Sequence, residues 1–421
     1  MRWREANVVE PKAPRLVVFS TLFPHPGQVH AGLFIRERMF RVARVLPLTV
    51  VAPVPWFPLQ GLIRLWRPHF RPDAPKYEIQ QNIEVWHPRF FSVPGMFKSF
   101  DGLFLALGSL STLRRLKKQP GFNVIDAHFG YPDGYAATLL GRWLKLPVTI
   151  TLRGTEIRHA RNRALRKRLV KALRHAARVF SVSDSLKRLA VELAIAEDKI
   201  LVVGNGVDTE KFFPIAKQQA RDQLGLPLDA PVLISVGGLV ERKGFHRVIE
   251  CLPGLLGAYP QLQYLIVGGR SAEGDMRAEL EGQVARLGLT EHVKFLGAMP
   301  AEELRLPLSA ADVFVLATRN EGWANVFLEA MACGLPVVTT DVGGNREVVC
   351  REEFGTIVPF GSQAALSTAL EQALERDWDR LAIIRYAEEN GWAQRVETLT
   401  QAFQRILKRP IDRPGFPNCM L

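Results

Sequence analysis

Short runs rich in Val, Ile and Leu alternate with helix-like segments almost from end to end of this chain, and that alternation limits the fold more than any other feature. In the first half the runs are RLVVFS from Arg15, LTVVAPV from Leu48, VIDAH from Val124, VTITLRG from Val148, VFSVS from Val179 and ILVVGN from Ile200. A second series begins with PVLISVGG at Pro231 and continues through QYLIVGG, VKFLG, DVFVLA, PVVTTDVGG and TIVPF. Strands covered on both faces read as continuous apolar runs, and parallel strands need helical crossovers between them. The expected class is therefore α/β, with parallel sheets covered on both faces. A chain of 421 residues exceeds what one hydrophobic core usually supports, and the two strand series predict two domains. Turn residues in GNGVDTEKFFP and GLPLDAP put the break near 204–230. The expected layout is a first domain over 1–205, a linker over 206–230, a second domain over 231–392 and a terminal segment over 393–421. The amphipathic helix of that last segment packs on its own domain or crosses back to the first.

Several function classes are disfavoured by what the chain lacks. The four cysteines, Cys251, Cys333, Cys350 and Cys419, have no CxxC spacing and no regularly placed histidines beside them, so reduced thiols are expected. The N-terminus, MRWREANVVEPKAP, is charged and broken by proline, and the apolar stretch near Leu103 to Leu110 is too short to span a bilayer. A cytoplasmic location is expected. There is no G-x-G-x-x-G after the first strand, no GxxxxGK[ST], no HExxH and no Ser-His-Asp set, which disfavours a dehydrogenase or a P-loop enzyme. The net charge of +13 implies an anionic partner: nucleic acid, anionic lipid or a phosphorylated substrate.

Chemistry concentrates in EGWANVFLEAMACGLPVVTTDVGG, Glu321 to Gly344. Strand DVFVLA ends at Ala317, TRNEGWA follows as a loop, and Asn325 is expected at the N-cap of a helix that ends at Gly334 and Pro336. Glu321 then lies in the loop, and Glu329 about one turn inside a mostly buried helix. A carboxylate among Phe327, Leu328, Ala330 and Met331 is costly unless satisfied, either by a core arginine or by ligand hydroxyls such as those of a ribose. The helix N-terminus beside it suits a phosphate. Three strands of the second series end in glycine pairs, Gly237-Gly238, Gly268-Gly269 and Gly343-Gly344. Together they point to a binding crevice beyond the strand ends.

The stretch EGWANVFLEAMACGLPVVTTDVGGNREVV resembles the signature of GT-B, family-4 type retaining glycosyltransferases, and the resemblance extends over nearly the whole chain. FPHPGQVHAGLFIRE, VIDAHFGYPDGYAA, TLRGTEI, VGNGVDTEKFFP and VGGLVERKGFHRVIE carry it further. It implies two Rossmann-like, doubly wound parallel-sheet domains facing a central cleft, a nucleotide-diphosphate sugar as donor substrate, no cofactor and no obligatory metal. By this resemblance Glu321 bonds the transferred sugar, Glu329 bonds the ribose, and Lys243 holds the diphosphate. Thr318, Gly322, Trp323, Ala324, Asn325 and the pair Gly237 and Gly238 surround the donor. Many relatives have arginine at the position of Gly238, which leaves a second cation missing, and Arg242 is the candidate substitute. From the first domain, His128 resembles the histidine beside the reacting sugar, Gly32 the glycine of a close-approaching loop, and Arg153 stands where numerous relatives carry histidine. Glu156 replaces an aspartate common in relatives, a version that resembles enzymes of cell-surface polysaccharide assembly.

The implied reaction is transfer of a hexose-type sugar, with retention, to a lipid-linked or polysaccharide acceptor in cell-envelope or exopolysaccharide biosynthesis. The alternatives are a nucleotide-sugar epimerase or phosphorylase of the same fold, or an inactive basic peripheral membrane protein. IRHARNRALRKRLVKALRHAARV, residues 157–179, contains no acid and places Leu165, Leu169, Leu173 and Ala176 on one helical stripe opposite Lys167, Lys171, Arg174 and Arg178. This face is either simply solvated or docks on the anionic inner face of the plasma membrane. LIRLWRPHFR around Trp66 is a second such candidate. No nucleic-acid motif accompanies the charge.

Overall fold

The computed structural model describes residues 13–29, 31–58, 60–66, 70–119, 121–271 and 273–408. Cys419, the first 12 residues and Arg67 to His69 of the segment around Trp66 lie outside them. The described residues divide into two compact units. One comprises the chain up to Ser181, Lys187–Val203 and the chain from Val396 onward; the other comprises Val182–Leu186 and Gly204–Arg395.

In the first unit all six expected strands form, and they lie in one eight-stranded sheet. Its order is Ile200–Val202, Arg178–Ser181, Val148–Leu152, Val124–His128, Leu16–Phe19, Leu48–Val51, Ile83–Trp86 and Tyr77–Gln80. Every pairing is parallel except the last, a hairpin turning at Gln81 and Asn82, both at positive φ. The central strands Leu16–Phe19 and Val124–His128 are buried throughout, which is why they read as unbroken apolar runs. The sheet order reverses between these two strands, so the loops after Phe19 and after His128 leave the same edge side by side.

The second unit is a six-stranded, wholly parallel sheet in the order Val293–Gly297, Gln263–Val267, Val232–Val236, Val313–Leu316, Val337–Thr340 and Gly355–Val358. Its reversal falls between Val232–Val236 and Val313–Leu316. Residues 206–230, expected as a linker, are instead part of this unit. Val207, Phe212, Ala220 and Leu226 are buried in its core, and helix Lys217–Leu224 is anchored through Arg221, whose guanidinium bonds the Ala310 carbonyl and Asp312. Turn-rich composition marked a loop here, but not that the loop is stitched down.

Helix Trp392–Lys408 resolves the alternative left open by periodicity. Val396, Leu399, Ala402 and Phe403 are buried in the core of the first unit, with the Phe403 ring 5.5 Å from that of Phe180. The acid-free basic run is not one helix. It divides at Asn162, whose side chain accepts from the amides of Ala164 and Leu165 and caps helix Arg163–His175. Leu169 and Leu173 are buried as expected, whereas Arg178 belongs to the strand that follows rather than to the cationic face.

Candidate functional site

The two reversal points gather the residues singled out above, each within its own unit. In the second unit, the loop after Val232–Val236 carries Gly237, Gly238 and a short turn over Glu241–Lys243, while the neighbouring strand Val313–Leu316 runs into Thr318 and Glu321. One oxygen of Glu321 is their meeting point. Glu321 Oε1 accepts from Lys243 Nζ at 2.7 Å, from Arg242 Nη1 at 3.1 Å and from Thr318 Oγ1 at 3.3 Å. Thr318 is buried and its hydroxyl also faces the Arg242 and Asn320 carbonyls, which ties the two loops together. Two cations converging on a point in a low-exposure site form a ready place for an anion with two charged groups.

Glu321 itself is only 9% exposed and is held through Oε1 by both cations. Gly343 explains how its loop is set. With φ of +53°, a Cβ there would lie 1.7 Å from the Glu321 carbonyl oxygen, and the Gly344 amide donates to the same oxygen at 3.3 Å. That glycine pair serves close backbone packing, as does Gly268, whose Cβ would lie 1.8 Å from the Gly237 oxygen. Helix Asn325–Ala332 begins one residue earlier than expected, with Ala324 at the cap and no side-chain capping bond. Asn325 instead accepts from Asn205 Nδ2 at 2.8 Å, giving the GNG motif a structural role that spacing did not disclose. Trp323 lies against Gly204, its indole Nε1 buried without a hydrogen-bond partner, and Gly322 places its carbonyl against Gly344. Glu329 is partly exposed between buried Leu328 and Ala330. The full burial cost assigned to it from sequence therefore does not arise.

In the first unit, His128 ends its strand with no solvent exposure. Arg153 donates to its Nδ1 through Nε at 3.1 Å, while the Arg153 guanidinium also lies over the Phe34 ring. Arginine only donates, so Nδ1 is the acceptor and the imidazole proton sits on Nε2. Burial, and then the neighbouring Arg153 charge, hold this histidine well below its ordinary pKa. His128 is thus a neutral N–H donor, not an acid or base. Its Nε2 is buried, lacks a hydrogen bond and stands 3.5 Å from Asp126 Oδ2. Glu156 is wholly enclosed and structural: it accepts from the amides of Gly130, Arg153 and Gly154. Gly32, at φ +68°, begins helix Leu33–Val42, and a Cβ there would lie 2.3 Å from the Leu22 carbonyl oxygen.

Asp133 was missed from sequence, although it sits inside a quoted motif. It accepts from the amide of Thr21, and from Thr21 Oγ1 at 3.1 Å, joining the two loops of the reversal point. Burial pushes its carboxyl up to about 7. An unfolded aspartate titrates near 3.9, so from about pH 4 to pH 7 only the native state keeps this proton. Its contribution to stability is largest below that window and falls as pH rises through it. Asp133→Asn keeps an acceptor for the Thr21 amide but removes the titrating carboxyl. Urea unfolding at pH 5 and pH 8 should show the loss of stability on raising pH shrink by on the order of 1–3 kcal/mol in the variant; an unchanged loss would remove Asp133 as its source.

With this geometry in hand, two family models account for most of the chain. One described as Glycosyltransferase Family 4 matches residues 63–211, and one described as Glycosyl transferases group 1 matches residues 216–390. The chain belongs to the GT-B, family-4 type glycosyltransferases. This glycosyltransferase is 27% identical to TuaC of Bacillus subtilis, named for teichuronic acid biosynthesis, over 91% of both chains. It is 35% identical to the D-inositol 3-phosphate glycosyltransferase of Corynebacterium urealyticum over 52% of this chain, and spans 54% of that relative. In fold it is similar to Anabaena HepE, solved with UDP and glucose, with a TM-score of 0.70, 20% identity and coverage of 93% of this chain and 100% of that one. Relatives therefore lie in cell-wall and glycolipid biosynthesis, and the glycosyltransferase has the two Rossmann-like domains of its fold. Among its described residues no helix is long and apolar enough to cross a membrane.

Proposed function

We propose that this glycosyltransferase moves a sugar from a nucleotide-diphosphate sugar to a lipid-linked or polysaccharide acceptor, with retention of configuration and without a metal. The convergence of Lys243 and Arg242 on Glu321 carries the reading. As the glycosidic bond breaks, negative charge grows on the diphosphate, and cations already in place stabilise it without reorganising. They supply the charge that a divalent ion would otherwise bring. The first turn of helix Asn325–Ala332 adds its dipole, and Glu329, one turn further, binds the ribose hydroxyls. Glu321, engaged by two cations, is a poor nucleophile or base, which favours attack by the acceptor hydroxyl from the leaving-group face with a donor phosphate oxygen taking the proton. His128 offers its neutral Nε2–H to a sugar hydroxyl. The named chemistry of TuaC, and of a mycobacterial phosphatidylinositol monomannoside mannosyltransferase, supports an envelope acceptor. A thermal-shift panel of UDP, GDP, ADP and dTDP sugars, followed by NMR of the anomeric centre in the product, tests this reading. No stabilisation by any donor, or an inverted product, would sink it.

The acceptor side is proposed to work at an anionic bilayer from the cytoplasmic face. Arg163, Arg166, Lys167, Lys171 and Arg174 are exposed along helix Arg163–His175, and the Arg168 guanidinium lies 5.6 Å from the Phe100 ring centre. Phe100 opens onto an exposed apolar row with Met96 at 55%, Phe97 at 58% and Leu107 at 53%. Cations at headgroup level beside apolar side chains reaching the acyl boundary is the pattern of an interfacial surface. Leu65 and Trp66 in helix Gln60–Trp66 are exposed as well. Flotation should be stronger with vesicles containing phosphatidylglycerol than with pure phosphatidylcholine, and should weaken at high salt without vanishing. Phe97→Asp should remove the salt-resistant part. Equal binding to neutral vesicles would defeat the proposal.

A further inference from the structure

We infer that Glu273 is a positioning residue for donor binding: it locks Arg242 beside Lys243, while Gly238 leaves room for the turn that carries Glu273. The inference rests on the diphosphate reading above and concerns how this chain completes that site. Gly238 is not an open position awaiting a longer side chain. A Cβ there would lie 3.0 Å from Ser271 Cβ. Ser271 belongs to a tight turn in which its amide bonds the Gly274 carbonyl at 2.9 Å and the Gly274 amide returns to the Ser271 carbonyl at 3.2 Å. The glycine therefore leaves room for this turn to fold against the strand end.

The turn delivers Glu273. The Glu273 amide donates to Ser271 Oγ at 3.1 Å, and its carboxylate takes Arg242 side-on, Nε to Oε2 at 3.0 Å and Nη2 to Oε1 at 2.8 Å. A bidentate pair of this kind fixes the plane of the guanidinium. It occupies the edge away from the site. The remaining Nη1 meets the Asn320 carbonyl at 3.0 Å and Glu321 Oε1 at 3.1 Å, the same oxygen that Lys243 Nζ reaches at 2.7 Å. Arg242 is thus oriented from one side by Glu273, with its Nη1 set beside Lys243. Glu273 is 55% exposed, so water screens its charge from a bound anion, whereas the restriction it places on a long, flexible side chain acts undiminished.

Calorimetric titration with UDP, GDP, ADP and dTDP separates the outcomes. Absence of binding to the wild-type protein would overturn the diphosphate reading and this inference with it. Where the wild type binds, Glu273→Ala should weaken the best nucleoside diphosphate about fivefold, equivalent to about 1 kcal/mol. Arg242→Lys should weaken it similarly, because an ammonium cannot make the side-on pair. The double variant should be no weaker than the worse single one, since both remove one coupled element. In turnover the donor KM should rise and kcat should fall with it, because Arg242 also faces the charge that grows on the diphosphate. Unchanged or tighter binding in Glu273→Ala, or additive losses in the double variant, would overturn the assignment, and unchanged melting temperatures for these exposed-turn variants would show that folding is not the cause.

Discussion

Replacing Lys243 with alanine should lower turnover at saturating donor by about 10²–10³-fold, the usual effect of removing one preorganised donor to developing negative charge. The side chain is only 16% exposed and its ammonium is fixed at 2.7 Å from Glu321 Oε1, so its charge acts in a site with little water. Lys243→Gln retains a hydrogen-bond donor without charge and should recover little. Initial rates of transfer and of donor hydrolysis, compared across the three proteins, give the check. Activity of the alanine variant within threefold of wild type would remove Lys243 from leaving-group stabilisation.

The second large effect is conformational. Gly343→Ala puts a methyl group 1.7 Å from the Glu321 carbonyl oxygen and 2.9 Å from its carbonyl carbon. Both are backbone atoms, so no rotamer change relieves the clash; the loop must shift and carry its carboxylate away from Lys243 and Arg242. A stability loss of about 1–3 kcal/mol is expected from such overpacking, with activity reduced at least about tenfold through misplaced groups. Gly361 makes the control. It too has positive φ, +86°, but nothing lies within 4 Å of its added Cβ, so Gly361→Ala should cost backbone strain alone and leave donor turnover near wild type. Chemical denaturation and transfer rates measured on both variants distinguish crowding from strain, and equal behaviour would contradict the packing argument.

Legibility from sequence followed burial. All twelve expected strands form, because a strand covered on both faces is written as a run of Val, Ile and Leu. The hairpin Tyr77–Gln80 with Ile83–Trp86 went unread: its first strand alternates exposed and half-buried residues and its turn uses Gln81 and Asn82 instead of a glycine pair. The small sheet of Val54–Trp56 and Arg89–Phe91 was missed for the same reason, being short and largely exposed. Lys243, Arg242, Glu321 and Thr318 were all named from motif resemblance, yet their mutual contact was not, and neither were Asp133 or Glu273.

Sequence alone determined which segments become strands, which loops follow them, and that these loops carry cations, acids and glycines, since each of those properties is local to the chain. Tertiary structure decided strand order, and with it that the loop ending at Lys243 lies beside the loop ending at Glu321, 78 residues away. It likewise decided that Gly238 makes room for a turn whose glutamate, 31 residues from Arg242, orients that arginine. Such pairings depend on how apolar strands stack to exclude water, a contact between distant parts of the chain that no local pattern encodes.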